Sequence, residues 1–106
     1  MLSLSLEDVR QLLVGGPSPK SHSFVVGKAY LIRTVTMHYT GRVVEVTDSD
    51  VLLEDAAWIA DTGRYSNSLL SGELSEIEPY PGRVAVCRGG MIDFCEWTHN
   101  LPRVQK

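Results

Sequence analysis

From Phe24 to Trp97 the chain is cut by Gly, Pro and Asp into short runs rich in Val, Ile, Thr and aromatic residues, and this punctuation limits it to a mostly β fold. Residues 30–37 alternate Leu31, Val35 and Met37 with Ile32, Thr34 and Thr36, the period of a strand. Residues 42–46 and 51–57 form the next two runs. Thr47-Asp48-Ser49-Asp50 joins them as a tight hairpin whose side chains can hydrogen-bond their own turn. Residues 83–88 and 91–97 read as the last strands, turned around Gly89-Gly90, where positive φ carries no steric cost. That turn would set Val86 opposite Asp93 and Cys87 opposite Ile92. Residues 58–82 exceed what a hairpin needs and carry Gly63, Gly72, Pro79, Pro81 and Gly82, with room for one helical turn within 66–70.

Ahead of this β region, Ser5-Leu6-Glu7-Asp8 opens a predicted helix over 5–15. Ser5 can cap the free amides, both acids favour the positive end of the dipole, and Gly15-Gly16-Pro17 ends it. Leu6, Val9, Leu12 and Leu13 make an apolar stripe that has to lie on something else. A polar connector over 18–23 follows. One helix and about five strands in a chain of 106 residues point to a single domain, 1–106, built as a strongly bent, SH3-like barrel over 24–97 with an insertion at 58–82 and a tail over 98–106. Gly41, inside the second strand, suits a strand that must coil.

Ten Lys+Arg against thirteen Asp+Glu give a formal charge of −3, which argues against duplex DNA or an anionic membrane as partner. No run approaches the roughly 18 apolar residues of a spanning helix, and residues 1–15 lack a signal-peptide pattern, so the expected setting is the cytoplasm. Two cysteines do not make a disulfide scaffold.

Two motifs resemble the paired signatures of the Sm/LSm family, the ring-forming RNA-binding proteins that include Hfq. One is Val84-Ala85-Val86-Cys87-Arg88-Gly89-Gly90-Met91-Ile92. The other is Gly41-Arg42-Val43-Val44-Glu45-Val46, the turn 47–50, and Val51-Leu52-Leu53-Glu54-Asp55. The wording of Tyr39-Thr40-Gly41-Arg42-Val43-Val44 and of residues 53–60 is similar to small Sm-like proteins of bacteriophage origin, which would place the chain in a host cytoplasm. The resemblance implies a five-stranded Sm-like barrel whose fourth strand pairs with a neighbour's fifth, giving a homo-oligomeric ring of roughly five to seven copies. It also implies a nucleotide-type ligand or short single-stranded RNA. Asp50 stands where family RNA binders usually carry Asn, and an acid there accepts hydrogen bonds only.

Arg88 heads the candidate ligand residues, with Gly89 beside it, because its planar fork suits phosphate or a base edge; the competing role is a structural bridge between subunits. Asp48 and Asp50 can orient a base amine or ribose hydroxyl, or simply build the hairpin. His38, Tyr39 and Arg42 around Gly41, and Trp58, Arg64 and Tyr65 in the insertion, are stacking candidates; the alternatives are ordinary strand residues and a Trp packed under its own loop. Cys87 and Cys95 read as buried small hydrophobes. Without a CxxC pair, HExxH, GxSxG or Walker motif, no metal, cofactor or enzymatic activity is expected. The alternative to a ligand-binding ring is a structural or protein-interaction ring that docks partners on 58–82.

Overall fold

A computed structural model describes residues 21–106. The predicted helix over 5–15 lies outside them. The elements are β1 (Ala29–Thr34), β2 (His38–Val46), β3 (Asp50–Asp61), α1 (Tyr65–Ser71), β4 (Glu76–Pro79), β5 (Val84–Cys87), a 3-10 turn (Arg88–Gly90) and β6 (Met91–Glu96).

The expected five-stranded barrel is not what forms: the six strands make one open antiparallel sheet in the order β4-β3-β2-β1-β6, with β5 also paired to β3. β3 is the cause. It runs on past Ala57 to Asp61, long enough to carry β5 along its first half and β4 along its second. The bend between the halves is at Asp55, which takes a left-handed φ of 49° and interrupts the β2–β3 ladder between Arg42 and Thr40. On the partner side the edge breaks at Pro81-Gly82, between β4 and β5.

The expected β5–β6 hairpin is also replaced. Val86 lies opposite Val51 and Cys87 opposite Asp50, whereas Asp93 lies opposite Arg33. Gly89 and Gly90 form the 3-10 turn, and neither has positive φ. β1 is shorter than 30–37: Thr34 closes a turn with Met37, its N–H donating to Met37 O at 2.7 Å and its hydroxyl to the same oxygen at 2.8 Å.

Both faces of the sheet are buried, so Tyr30, Leu31 and Ile32 are all covered although they alternate in direction. One face gathers Tyr30, Ile32, Val43, Val51, Leu53 and Val86, closed by Phe24, whose ring stacks on Phe94 at 3.8 Å. Gly41 sits here because a Cβ would lie 3.0 Å from Leu53 Cβ, a close-approach requirement. The other face gathers Leu31, Ala57, Ile59, Leu74, Ile77 and Trp97, with Tyr65 and Leu69 of α1 packed on it.

α1 realises and lengthens the helical turn foreseen within 66–70. Seven residues are too few to hold a helix alone, so its stability comes from that packing. Gly72 ends it at φ 79°, its N–H donating to Ser68 O. Residues 97–106 then wrap the same face. Trp97 N–H donates to Ala29 O, Arg103 donates to Ala56 O and Tyr80 O, and Lys106 and Ile77 exchange backbone hydrogen bonds at 3.0 and 2.9 Å. This last pair covers the outer edge of β4.

Two strand edges stay open among the described residues. Hydrogen-bonded pairs alternate with non-bonded ones in an antiparallel ladder. Arg88 N–H bonds Ser49 O, so Val84 and Val86 turn toward β3, and Ala85 and Cys87 direct their backbone groups away. By the same logic, Trp97 N–H to Ala29 O turns Phe94 and Glu96 outward from β6. Cys87 is exposed and Cys95 half-buried, not the two buried hydrophobes expected; on β5 it is the alternate residue, Val86, that turns into the core.

Candidate functional site

The hairpin 47–50 and the turn Arg88–Gly90 form one loop pair. Thr47 Oγ1 organises the hairpin: it donates to Asp50 Oδ1 at 3.0 Å and accepts from the N–H groups of Asp50 (3.0 Å) and Ser49 (3.3 Å). Asp50 is thus a turn-builder, its carboxylate spent in part on its own loop. Arg88 clips the second loop to the first. Its N–H donates to Ser49 O at 2.9 Å, Nη1 to Thr47 O at 2.7 Å and Nη2 to Ser21 O at 3.3 Å. These partners belong to its own chain, so within one protomer the geometry is a structural clasp. Open space lies where Cβ atoms at Gly89 and Gly90 would stand, leaving their backbone approachable. The pair therefore presents Asp48, Asp50, Arg88 and Gly89 together, a set able to accept from an amine or hydroxyl and to donate from a guanidinium.

The other candidates divide between the two faces. Tyr39 stacks on Tyr80 with ring centroids 6.3 Å apart, and its strand neighbour opposite is Trp58, 37% exposed. Trp58 is therefore a β3 residue, not part of a free loop, and not tucked under one. Burial raises the Tyr80 phenol above its ordinary pKa. Arg42 lies on the opposite face, donating to Asp55 Oδ2 at 2.8 Å and reaching Glu54 at 3.5 Å. His38, Tyr39 and Arg42 do not converge.

His38 instead approaches Tyr65, ring centroids 6.5 Å apart, in a cluster that sequence reasoning missed. Arg33 lies over the Tyr65 ring at 5.1 Å and makes a two-pronged ion pair with Asp93, Nε to Oδ1 at 2.7 Å. The 60-residue separation of Arg33 and Asp93 leaves no local signal; only the β1–β6 register brings them opposite. Hydrogen bonding from Arg33 lowers the Asp93 pKa. A depressed folded-state value means the pair's stabilisation is present above about pH 4, the ordinary carboxylate value, and is lost as pH falls through the folded value. Asp93→Asn is accordingly expected to flatten the loss of stability as pH falls below about 4, read by urea melts at each pH; an unchanged acid slope would contradict this.

Arg64 caps the start of α1 beside Tyr65, and it lines a recess to which neither Trp58 nor Tyr65 contributes. Among the described residues no group of three His, Cys, Asp or Glu is placed to hold a metal, and no helix is long and apolar enough to cross a membrane.

The geometry thus favours the loop pair as the candidate site. Comparison with protein-family models, curated proteins and solved structures finds no match for the chain.

Proposed function

We propose that this is a non-enzymatic, self-assembling protein of the Sm-like kind, forming a ring of copies that binds a nucleotide-type ligand or short single-stranded RNA at the loop pair. The observation that carries the reading is the clasp: Arg88 fastens its own turn to the hairpin 47–50, so the two motifs that resemble the Sm/LSm signatures meet at one surface. The open edges of β5 and β6 support assembly, because edges at opposite ends of one sheet pair head to tail and close only in a ring. With a net charge of −3, a small, specifically held ligand suits the chain better than long nucleic acid, which needs many cationic contacts. Sequestering a signalling nucleotide in a host cytoplasm is the biological role this would serve.

Native mass spectrometry of the purified protein tests both parts, reporting copy number and any retained ligand. Arg88→Ala is expected to keep the oligomer and lose ligand retention at least tenfold, about 1.4 kcal/mol. If the wild type carries no adduct and mononucleotides, cyclic dinucleotides and oligo-U give no thermal shift, the ligand reading fails. One observation favours the second reading, an interaction platform: Trp58 stands exposed beside the stacked Tyr39–Tyr80 pair on the long β3–β4 excursion. Partner capture that survives Arg88→Ala would select it.

A further inference from the structure

At the end of β3 remote from the loop pair, the chain folds around a recess of about 180 Å³ with the buried Leu74 in its lining and polar residues around the rest. The polar groups of its backbone are largely satisfied within the segment. Gly63 N–H donates to Asp61 Oδ1 at 2.8 Å, Ser75 N–H to Asp61 O at 2.9 Å, and the Ser71 hydroxyl both donates to Asn67 O and accepts from Glu73 N–H. The side chains of Arg64, Asn67 and Ser75 have no hydrogen-bond or ion-pair partner among the described residues. Lys106 joins the rim because its backbone is fastened to Ile77, and Glu73 is the one acid in the lining.

A guanidinium next to a carboxamide and a hydroxyl is a donor set matched to the oxygens of a phosphoryl group. The volume is below the roughly 300–1,000 Å³ of sites for drug-sized molecules, so the ligand has to be small. Glu73 opposes a bare phosphate dianion but accepts from a hydroxyl, which favours an ester that carries a hydroxyl near its phosphate. We propose that this recess binds a small phosphorylated polyol, with Arg64 and Lys106 on phosphoryl oxygens, Asn67 and Ser75 as neutral donors, and Glu73 accepting from the polyol. The site is separate from the loop pair: Asp50 and Asp61 are the two ends of β3, and the lining of the recess shares no residue with that pair.

Titrating the isotopically labelled full chain with ribose 5-phosphate, inorganic phosphate or ribose, and following amide resonances, tests this directly. Saturable shifts are expected at Gly63, Ser75 and the Asn67 side-chain amide with ribose 5-phosphate, at least tenfold weaker binding of inorganic phosphate, and no response to ribose. Arg64→Ala, a change at an exposed side chain, should weaken ribose 5-phosphate at least tenfold. No saturation by about 10 mM, tenfold above a millimolar Kd, would overturn the proposal. So would equal affinity for inorganic phosphate, or wild-type binding by Arg64→Ala.

Discussion

Ala85→Pro is expected to convert the proposed ring into a monomer while leaving the fold intact. The N–H of Ala85 turns away from β3, so proline there removes no hydrogen bond of the sheet. It removes a donor from the edge that a second copy's β6 would pair with, and its ring obstructs the approach of another strand. The side chain is exposed, so no core is disturbed. Native mass spectrometry and light scattering should report one copy for the variant and roughly five to seven for the wild type. Near-ultraviolet circular dichroism of Trp58 and Trp97 should coincide for the two, separating dissociation from unfolding. A monomeric wild type at micromolar concentration would sink the ring, and an oligomeric Ala85→Pro would place the contact on another surface.

Trp97→Ala is expected to cost about 3–5 kcal/mol, the range for emptying a large buried aromatic site. Domains of this size are stable by only about 5–15 kcal/mol, so the variant should be close to unfolding at body temperature. Trp97 is 3% exposed and touches the apolar face opposite Phe24. It also anchors the segment that follows: its N–H donates to Ala29 O and its indole Nε1 to Asn100 O at 3.2 Å, while its ring meets the His99 ring edge-on at 5.0 Å. His99 in turn bonds Leu69 O, tying the segment to α1. Losing the indole therefore loosens α1 and residues 97–106 together. Urea melts measure the cost directly, and Trp97→Phe should retain most of the stability. A loss below about 1 kcal/mol would mean that the face is held by other contacts.

What could be read from sequence was what is local. The hairpin 47–50 was legible because four consecutive polar turn formers separate two apolar runs, and its neighbours β2 and β3 followed from their alternation. The sheet's overall shape was not. It depends on Asp55 adopting a left-handed φ, on β3 continuing through Trp58, Ile59 and Ala60, and on β5 choosing β3 in place of the nearby β6. The Gly89-Gly90 pair reads as a hairpin turn by residue type alone, yet a 3-10 turn uses the same residues. At the site, Arg88 stood out by chemistry, but its bond to Thr47 O joins residues 41 apart and has no local trace. The stacking candidates of β2 failed to converge because the strand's unbroken alternation puts Tyr39 on one face and His38 and Arg42 on the other.

The break at Pro81-Gly82 sets a limit on how far disorderly growth can go. Without it, β4 and β5 would form one continuous rim along β3, the flat template on which fibrils extend. With it, β4 is covered by Lys106, and of that rim only the four residues Val84–Cys87 are left bare among the described residues. A contact that short carries few backbone hydrogen bonds, each worth about 1 kcal/mol net. Single encounters then fall apart quickly, and only a closed set of copies, in which every contact supports the next, persists on dilution.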